Sequence, residues 1–186
     1  MLGKGNIQVN EILKQSVGKH VLYFTEQPER YIENAISFVT AGAEQGDYVF
    51  FVENARILPV IQQQVEQLLT PEQLARVHFM NNYAFYWQNG DFHPPTILAH
   101  FTKTLALHLV AEKSFRTWGH IEWGDQEEIT RDIEEFEQAI DGIVSKQKAI
   151  SVCAYDVSRV SEPFKELLLN CHSYLMTDDE IMPVAR

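Results

Sequence analysis

Residues 20–53 read HVLYF, TEQPER, YIENAISFVTAGAEQG, DYVFFVE, which is a strand, a short loop, a long amphipathic helix and a second strand. Tyr31, Ala35, Phe38, Val39 and Ala43 recur at spacings of three and four, so a helix from about Pro28 to Gln45 carries them on one face. Gly46 supplies the left-handed conformation that a helix terminus often needs. This is the opening unit of a nucleotide-binding α/β domain, but its loop lacks the phosphate chemistry. A phosphate-cradling loop needs glycines, so that backbone N–H groups can wrap the anion, and a Lys followed by Ser or Thr. Thr25, Glu26, Gln27, Pro28, Glu29 and Arg30 stand there instead. Carboxylates beside a helix N-terminus compete with a phosphate rather than hold it. The expectation is the scaffold without triphosphate chemistry.

The same alternation continues. Apolar runs HVLYF, YVFFV, VHFM, FRTWGHIEW and AISVCAYD are separated by helical stretches. The pattern predicts an α/β fold of three layers: a mostly parallel sheet of about five or more strands with helices on both faces. A helix is expected from about Asn54 to Leu69 with a break near Pro59, another after Thr70-Pro71, and another from Pro94-Pro95 to about Glu112. Asp125-Gln126-Glu127-Glu128 has capping-box spacing and opens an acidic helix whose buried stripe is Ile129, Ile133, Phe136, Ile140 and Val144. Its other face, with Glu127, Glu128, Asp132, Glu134, Glu135 and Asp141, reads as a solvated face. Ser161 opens a last helix to about Cys171, and the tail from His172 reads as a strand or hairpin.

With 186 residues and 45% hydrophobic content, the chain is long enough for one continuous core. The reading is a single domain over 19–186, preceded by an N-terminal helical extension over 1–18 in which Glu11 to Val17 is helical. A net charge of −11 opposes nucleic-acid backbones and anionic lipid, so direct nucleic-acid or membrane binding is not expected. No apolar run approaches the roughly 18 to 20 residues needed to cross a bilayer, and MLGKGNIQVN lacks the apolar core of a signal peptide. The expected location is cytoplasmic. Cys153 and Cys171 are too few for a disulfide framework and read as reduced thiols.

In an open parallel sheet the ligand crevice lies beyond the carboxyl ends of the strands. That places Glu26, Glu53, Tyr83, Glu122, Trp123, Tyr155 and Asp156 on a rim rich in carboxylates and aromatics, with no lysine. Such a rim suits an apolar body with a cationic or hydrogen-bond-donating part, or a metal. Each residue has a plainer reading. Glu122 could only pair with Arg116, Asp156 could cap a strand-to-helix turn, and Glu26 and Glu53 could be solvated. Tyr83 to Trp87 could wall a pocket or fill the core. Among histidines and cysteines only Cys171 and His172 are neighbours, and adjacent side chains point apart, so no metal and no cofactor are expected. His20, at the start of a strand, falls at the edge opposite the crevice, where a structural hydrogen bond is the simpler role. No G-x-S-x-G elbow is present, and nucleophilic catalysis is not expected.

Several of these residues together resemble a known family. They are His20-Val-Leu-Tyr-Phe, the run Ala41 to Val49, Arg116 to Trp123, Phe136-Glu137, Cys153-Ala-Tyr155-Asp156 and His172. In this order and spacing they look like the MEDS domain, the sensory domain named for methanogens, methylotrophs and the dichloromethane-dehalogenase regulator. The resemblance implies a RecA/KaiC-like fold without a working phosphate loop, used in signalling to sense small hydrocarbon derivatives or related molecules. It also adds Arg116 to the candidate ligand contacts, and makes His20, Glu137, Cys153 and His172 signature residues of the fold or the ligand site. Ser173 stands where the pattern leads one to expect proline, and no helix-turn-helix or kinase segment is recognisable. The leading expectation is therefore a non-enzymatic cytoplasmic sensor that binds a small molecule at the strand ends and acts through a partner regulator or kinase. A ligand-free protein-interaction module and a divergent nucleotide-binding enzyme are the alternatives. The sheet edges and the N-terminal helix leave room for a homodimer.

Overall fold

The computed structural model describes residues 18–110 and 114–185. The helix expected over Glu11 to Val17 lies outside the described residues. β1 (Lys19–Thr25) is buried along its whole length, as a central strand covered on both faces must be. α1 (Pro28–Gln45) begins with Pro28, whose missing N–H costs nothing in a first turn. Gly46 ends it at φ 89°, its N–H donating to Ala43 O. β2 (Tyr48–Glu53) leads into α2 (Leu58–Leu68). This helix starts later than its sequence pattern suggests and is unbroken. The Asn54 side chain accepts from the N–H groups of Arg56 and Ile57 in a turn, so Pro59 falls in the first helical turn rather than mid-helix. α3 (Pro71–Leu74) carries a full capping box between Thr70 and Gln73.

β3 (Val77–Asn81), α4 (Asn82–Tyr86) and α5 (Pro94–Val110) bring the chain to β4 (Phe115–His120). α6 (Gln126–Gln147) follows, with Asp125 accepting from Glu127 N–H at 2.8 Å. After β5 (Ile150–Asp156) come a 3-10 turn at Val157–Arg159, α7 (Glu162–Cys171), and the hairpin of β6 (Tyr174–Met176) and β7 (Ile181–Pro183).

The seven strands lie in the order β3-β2-β4-β5-β1-β6-β7. All neighbours pair in parallel except β6 with β7. The period of two along each strand separates two cores. Val21, Tyr23, Phe51, Trp118 and Val152 face Tyr31, Phe38 and Val39 of α1 and Ile61 and Val65 of α2. Leu22, Phe50, Val52 and Tyr155 face Phe101 of α5, Ile133 and Phe136 of α6, and Leu168 of α7. The result is the expected three-layer α/β fold. Each aliphatic residue of the α6 stripe contributes about 1.5 to 3 kcal/mol by leaving water. Gly119 of β4 lets the Tyr86 hydroxyl cross the sheet face, because a Cβ there would stand 2.1 Å from Oη.

Candidate functional site

Two backbone N–H groups of the loop between β1 and α1 are taken from within the chain. Asp178, in the β6–β7 turn, accepts from Gln27 N at 2.8 Å and Glu26 N at 3.1 Å through Oδ2, and from the Tyr23 hydroxyl at 2.6 Å through Oδ1. Asn34 donates to Tyr23 Oη and to Asp178 O. Helix α1 has no side-chain cap of its own. An internal carboxylate thus takes two backbone N–H groups just before the start of α1.

Beside this loop lies a cleft of about 370 Å³ at the carboxyl ends of β1, β2, β4 and β5, lined among others by Glu26, Tyr31, Asn54, Arg56, His120, Glu122 and Asp156. Glu53, fully buried, organises its floor. Its carboxylate accepts from His120 Nδ1 at 2.6 Å, from Asn54 N at 2.7 Å and from the Tyr31 hydroxyl. Trp118 Nε1 in turn donates to Tyr31 Oη at 2.9 Å. Burial opposes a charge on His120, but the Glu53 carboxylate outweighs it and raises the pKa above the ordinary 6.5. The ring is thereby held with Nδ1 toward Glu53. His120 Nε2 and Asn54 Nδ2 are both buried and have no hydrogen-bond partner. On the rim, Glu122 accepts from Asn82 Nδ2 at 2.9 Å and from Arg56 Nη2 at 3.1 Å.

The rim predicted from sequence is thus assembled in part. Glu26, Glu122 and Asp156 line the cleft, and Glu53 supports it from beneath. Asp156 also accepts from Ser158 N and Oγ, the turn-capping role anticipated as its plainer reading. Four residues belong elsewhere. Arg116 is fully buried at the amino end of β4, where Nε donates to Asp47 at 2.8 Å and Nη2 to Gln45 at 2.9 Å. Four residues of strand, about 13 Å, separate it from the rim. Tyr155 points into the opposite core and donates its hydroxyl to Glu137. Trp123 packs against Tyr155 and Phe164, with the Arg159 guanidinium 4.9 Å above its ring. Tyr83 is 66% exposed on α4 and is not part of the cleft lining. Sequence reasoning placed Asn54 at the end of β2 without giving it a role, and missed Tyr31, Arg56 and His120. His120 shares the strand parity of Trp118, the one signal that pointed to it.

The four signature residues converge at a second place, on the α6 and α7 face of the sheet. His20 of β1, Glu137 of α6, Cys153 of β5 and His172 after α7 are all buried. The expectation that the histidines and cysteines stay apart fails because β1 pairs with β5 in a register that sets His20 against Ser151, two residues from Cys153. Glu137 Oε2 lies 3.2 Å from His20 Nε2, 3.5 Å from His172 Nε2 and 3.3 Å from Cys153 Sγ. Burial opposes the charge of Glu137, yet the two histidines hold its pKa down at about 2. Burial and the neighbouring His20 keep His172 neutral, with a pKa of about 4. Burial pushes the Cys153 thiol well up, and Glu137 adds to this.

Solved structures match this architecture at low identity. The KaiC-like protein PH0186 from Pyrococcus horikoshii aligns with a TM-score of 0.55 and 15% identity over 87% of this chain and 71% of its own. The flagellar accessory protein FlaH from Methanocaldococcus jannaschii gives 0.55 and 12% over the same shares. PH0250 from Pyrococcus horikoshii gives 0.60 and 10%, over 95% of this chain and 91% of its own. These likenesses establish a KaiC-like, RecA-type fold. No curated protein sequence matches the chain. No helix among the described residues is long and apolar enough to cross a membrane. The profile of the MEDS family, the MEthanogen/methylotroph, DcmR Sensory domain, matches residues 19–173, and the chain belongs to that family.

Proposed function

We propose that this sensory domain is non-enzymatic and binds a small polar molecule in the strand-end cleft, passing the change to a partner regulator or kinase. The observation that carries the reading is a pair of buried polar nitrogens without partners on residues that line the cleft: Asn54 Nδ2, a donor, and His120 Nε2, a donor while the ring is protonated, the state its raised pKa favours. A buried polar group left without a partner costs about 1 to 3 kcal/mol, which a bound acceptor atom would recover. The carboxylates of Glu26, Glu122 and Asp156 around it favour hydrogen-bond donors or a cationic group on the rest of the molecule. The ligand class is therefore a small molecule with an acceptor oxygen at one end and a donor group at the other, such as an amino alcohol. Phosphate recognition is disfavoured, because Asp178 takes the N–H groups of Glu26 and Gln27 and sets a carboxylate beside the start of α1.

Thermal stability against small alcohols, carboxylic acids, amino alcohols and nucleotides tests this directly. A ligand at a hundred times its dissociation constant adds roughly 2.7 kcal/mol. The expected result is a shift with one class that His120→Ala and Glu122→Gln abolish, and none with ATP and magnesium. If no class shifts the transition, the reading fails, and the exposed carboxylates of α6 at Glu127, Glu134 and Glu135 become the candidate partner surface.

A further inference from the structure

We propose that His20, Glu137, Cys153 and His172 bind a divalent transition-metal ion of the zinc type through both imidazole Nε2 atoms, Glu137 Oε2 and the Cys153 sulfur. One donor atom from each of the four residues lies within 4.8 Å of the other three. Tetrahedral zinc, with bonds of about 2.0 to 2.3 Å, requires donor-to-donor edges of about 3.3 to 3.6 Å. Four edges match: Glu137 Oε2 to His20 Nε2 at 3.2 Å, to His172 Nε2 at 3.5 Å and to Cys153 Sγ at 3.3 Å, and Cys153 Sγ to His20 Nε2 at 3.5 Å.

A second observation separates this arrangement from an ordinary buried hydrogen-bond network. His172 donates its Nδ1–H to Leu168 O at 2.7 Å, so its Nε2 carries a lone pair and no proton. That Nε2 is buried, has no hydrogen-bond partner and faces the Glu137 carboxylate, which is an acceptor against an acceptor. A cation between them turns the conflict into two bonds.

The outer contacts agree. Metal-bound histidines usually give their other ring N–H to a carbonyl or carboxylate, which fixes the tautomer. His172 does so to Leu168 O, and His20 Nδ1 lies 3.4 Å from Asp141 Oδ1. The remaining Glu137 oxygen takes the Tyr155 hydroxyl, which leaves Oε2 for the ion. Charge also balances. A divalent cation, one carboxylate, one thiolate and two neutral imidazoles sum to zero, as burial demands. Binding sends two protons to solvent, one from the Cys153 sulfur and one from His20 Nε2, which without the ion faces the Glu137 carboxylate, as the sulfur–metal and nitrogen–metal bonds form. Asp141 is 40% exposed, so the site lies one side chain below the surface.

Two nitrogens, a sulfur and one oxygen suit zinc or cobalt rather than magnesium or calcium, which prefer oxygen. Four protein ligands leave no open position, so the ion is structural. It ties β1 and β5 to α6 and to the end of α7, on the sheet face opposite α1. It is independent of the strand-end cleft.

The test uses the full chain after chelator treatment, titrated with Co²⁺ and with Zn²⁺. Expected are one ion per chain, a thiolate-to-cobalt charge-transfer band with the strong visible absorption of tetrahedral cobalt, and a higher melting temperature with Zn²⁺. Cys153→Ser should abolish the charge-transfer band while Cys171→Ser retains it, and His172→Gln should weaken Zn²⁺ at least tenfold. Circular dichroism checks that each variant is folded, and the wild-type titration decides the matter even if one is not. A wild type that gives no thiolate–cobalt band and no Zn²⁺-dependent shift overturns the proposal. So does a shift equal for Mg²⁺ and Zn²⁺ that survives in Cys153→Ser, since it would mark surface carboxylates.

Discussion

Replacing Asp178 with alanine should loosen the start of the fold, by an amount its contacts set. The carboxylate accepts three hydrogen bonds: from the Tyr23 hydroxyl at 2.6 Å, Gln27 N at 2.8 Å and Glu26 N at 3.1 Å. Tyr23 is fully buried, so its hydroxyl would lose a charged acceptor with no water to replace it. Hydrogen bonds to charged groups contribute about 1.5 to 3 kcal/mol. Glu26 and Gln27 are exposed and can recruit water, so together they add about 1 kcal/mol or less. The expected loss is about 2 to 4 kcal/mol, or roughly 5 to 15 °C in melting temperature for a chain of this size. Urea denaturation followed by tryptophan fluorescence reads it through Trp118, which is fully buried. Asp178→Asn keeps an acceptor without the charge and should lose about half as much. An alanine variant within about 0.5 kcal/mol of wild type, the usual range for surface substitutions, would refute the view that this carboxylate holds the loop.

Two further outcomes follow from close contacts elsewhere. Gly119→Ala puts a Cβ 2.1 Å from the buried Tyr86 hydroxyl and should cost about 1 to 3 kcal/mol, whereas Gly124→Ala, with open space around it, should be near neutral; equal denaturation midpoints for the two would contradict the contact. His120 has a folded-state pKa above 6.5, so the stability it contributes is fully present below about 6.5 and fades as pH rises through the folded value. Ring-proton NMR should show His120 titrating above 6.5, and His120→Asn should flatten the stability profile there; a His120 signal titrating at or below 6.5 would count against the Glu53 contact.

Much of the fold was legible because it depends on local signals. The apolar stripe of α1, Gly46 after it, Thr70-Pro71 before α3 and the five strands β1 to β5 all announce themselves within a few residues. The start of α2 did not, because an Asn54 turn competes with helix in the same residues. The site was legible only by rule. Strand ends located Glu26, Glu53, Glu122 and Asp156, but not which of these point into the cleft and which lie beneath it. Arg116, a candidate contact on the resemblance alone, could have been set aside by counting, since in a parallel sheet the first residues of a strand lie at the far end from the last. Glu137 had a local signal too. It falls on the spacing of the buried stripe, four after Ile133 and three before Ile140, where a carboxylate needs a partner. Its partners could not be read, because His20 and Cys153 meet only through the β1–β5 register, 133 positions apart in sequence.

Asp178 also bears on how the domain can keep time. A nucleotide loop exchanges its anion on every cycle, so hydrolysis gives it a direction and ties it to the energy state of the cell. Here the carboxylate that meets two N–H groups before α1 sits on the chain's own hairpin and cannot be released as product. Under the proposed function the domain has no such clock and works as a balance at equilibrium. Its output depends on ligand concentration alone, and any regulator that responds to the bound form must tighten ligand binding by the same factor.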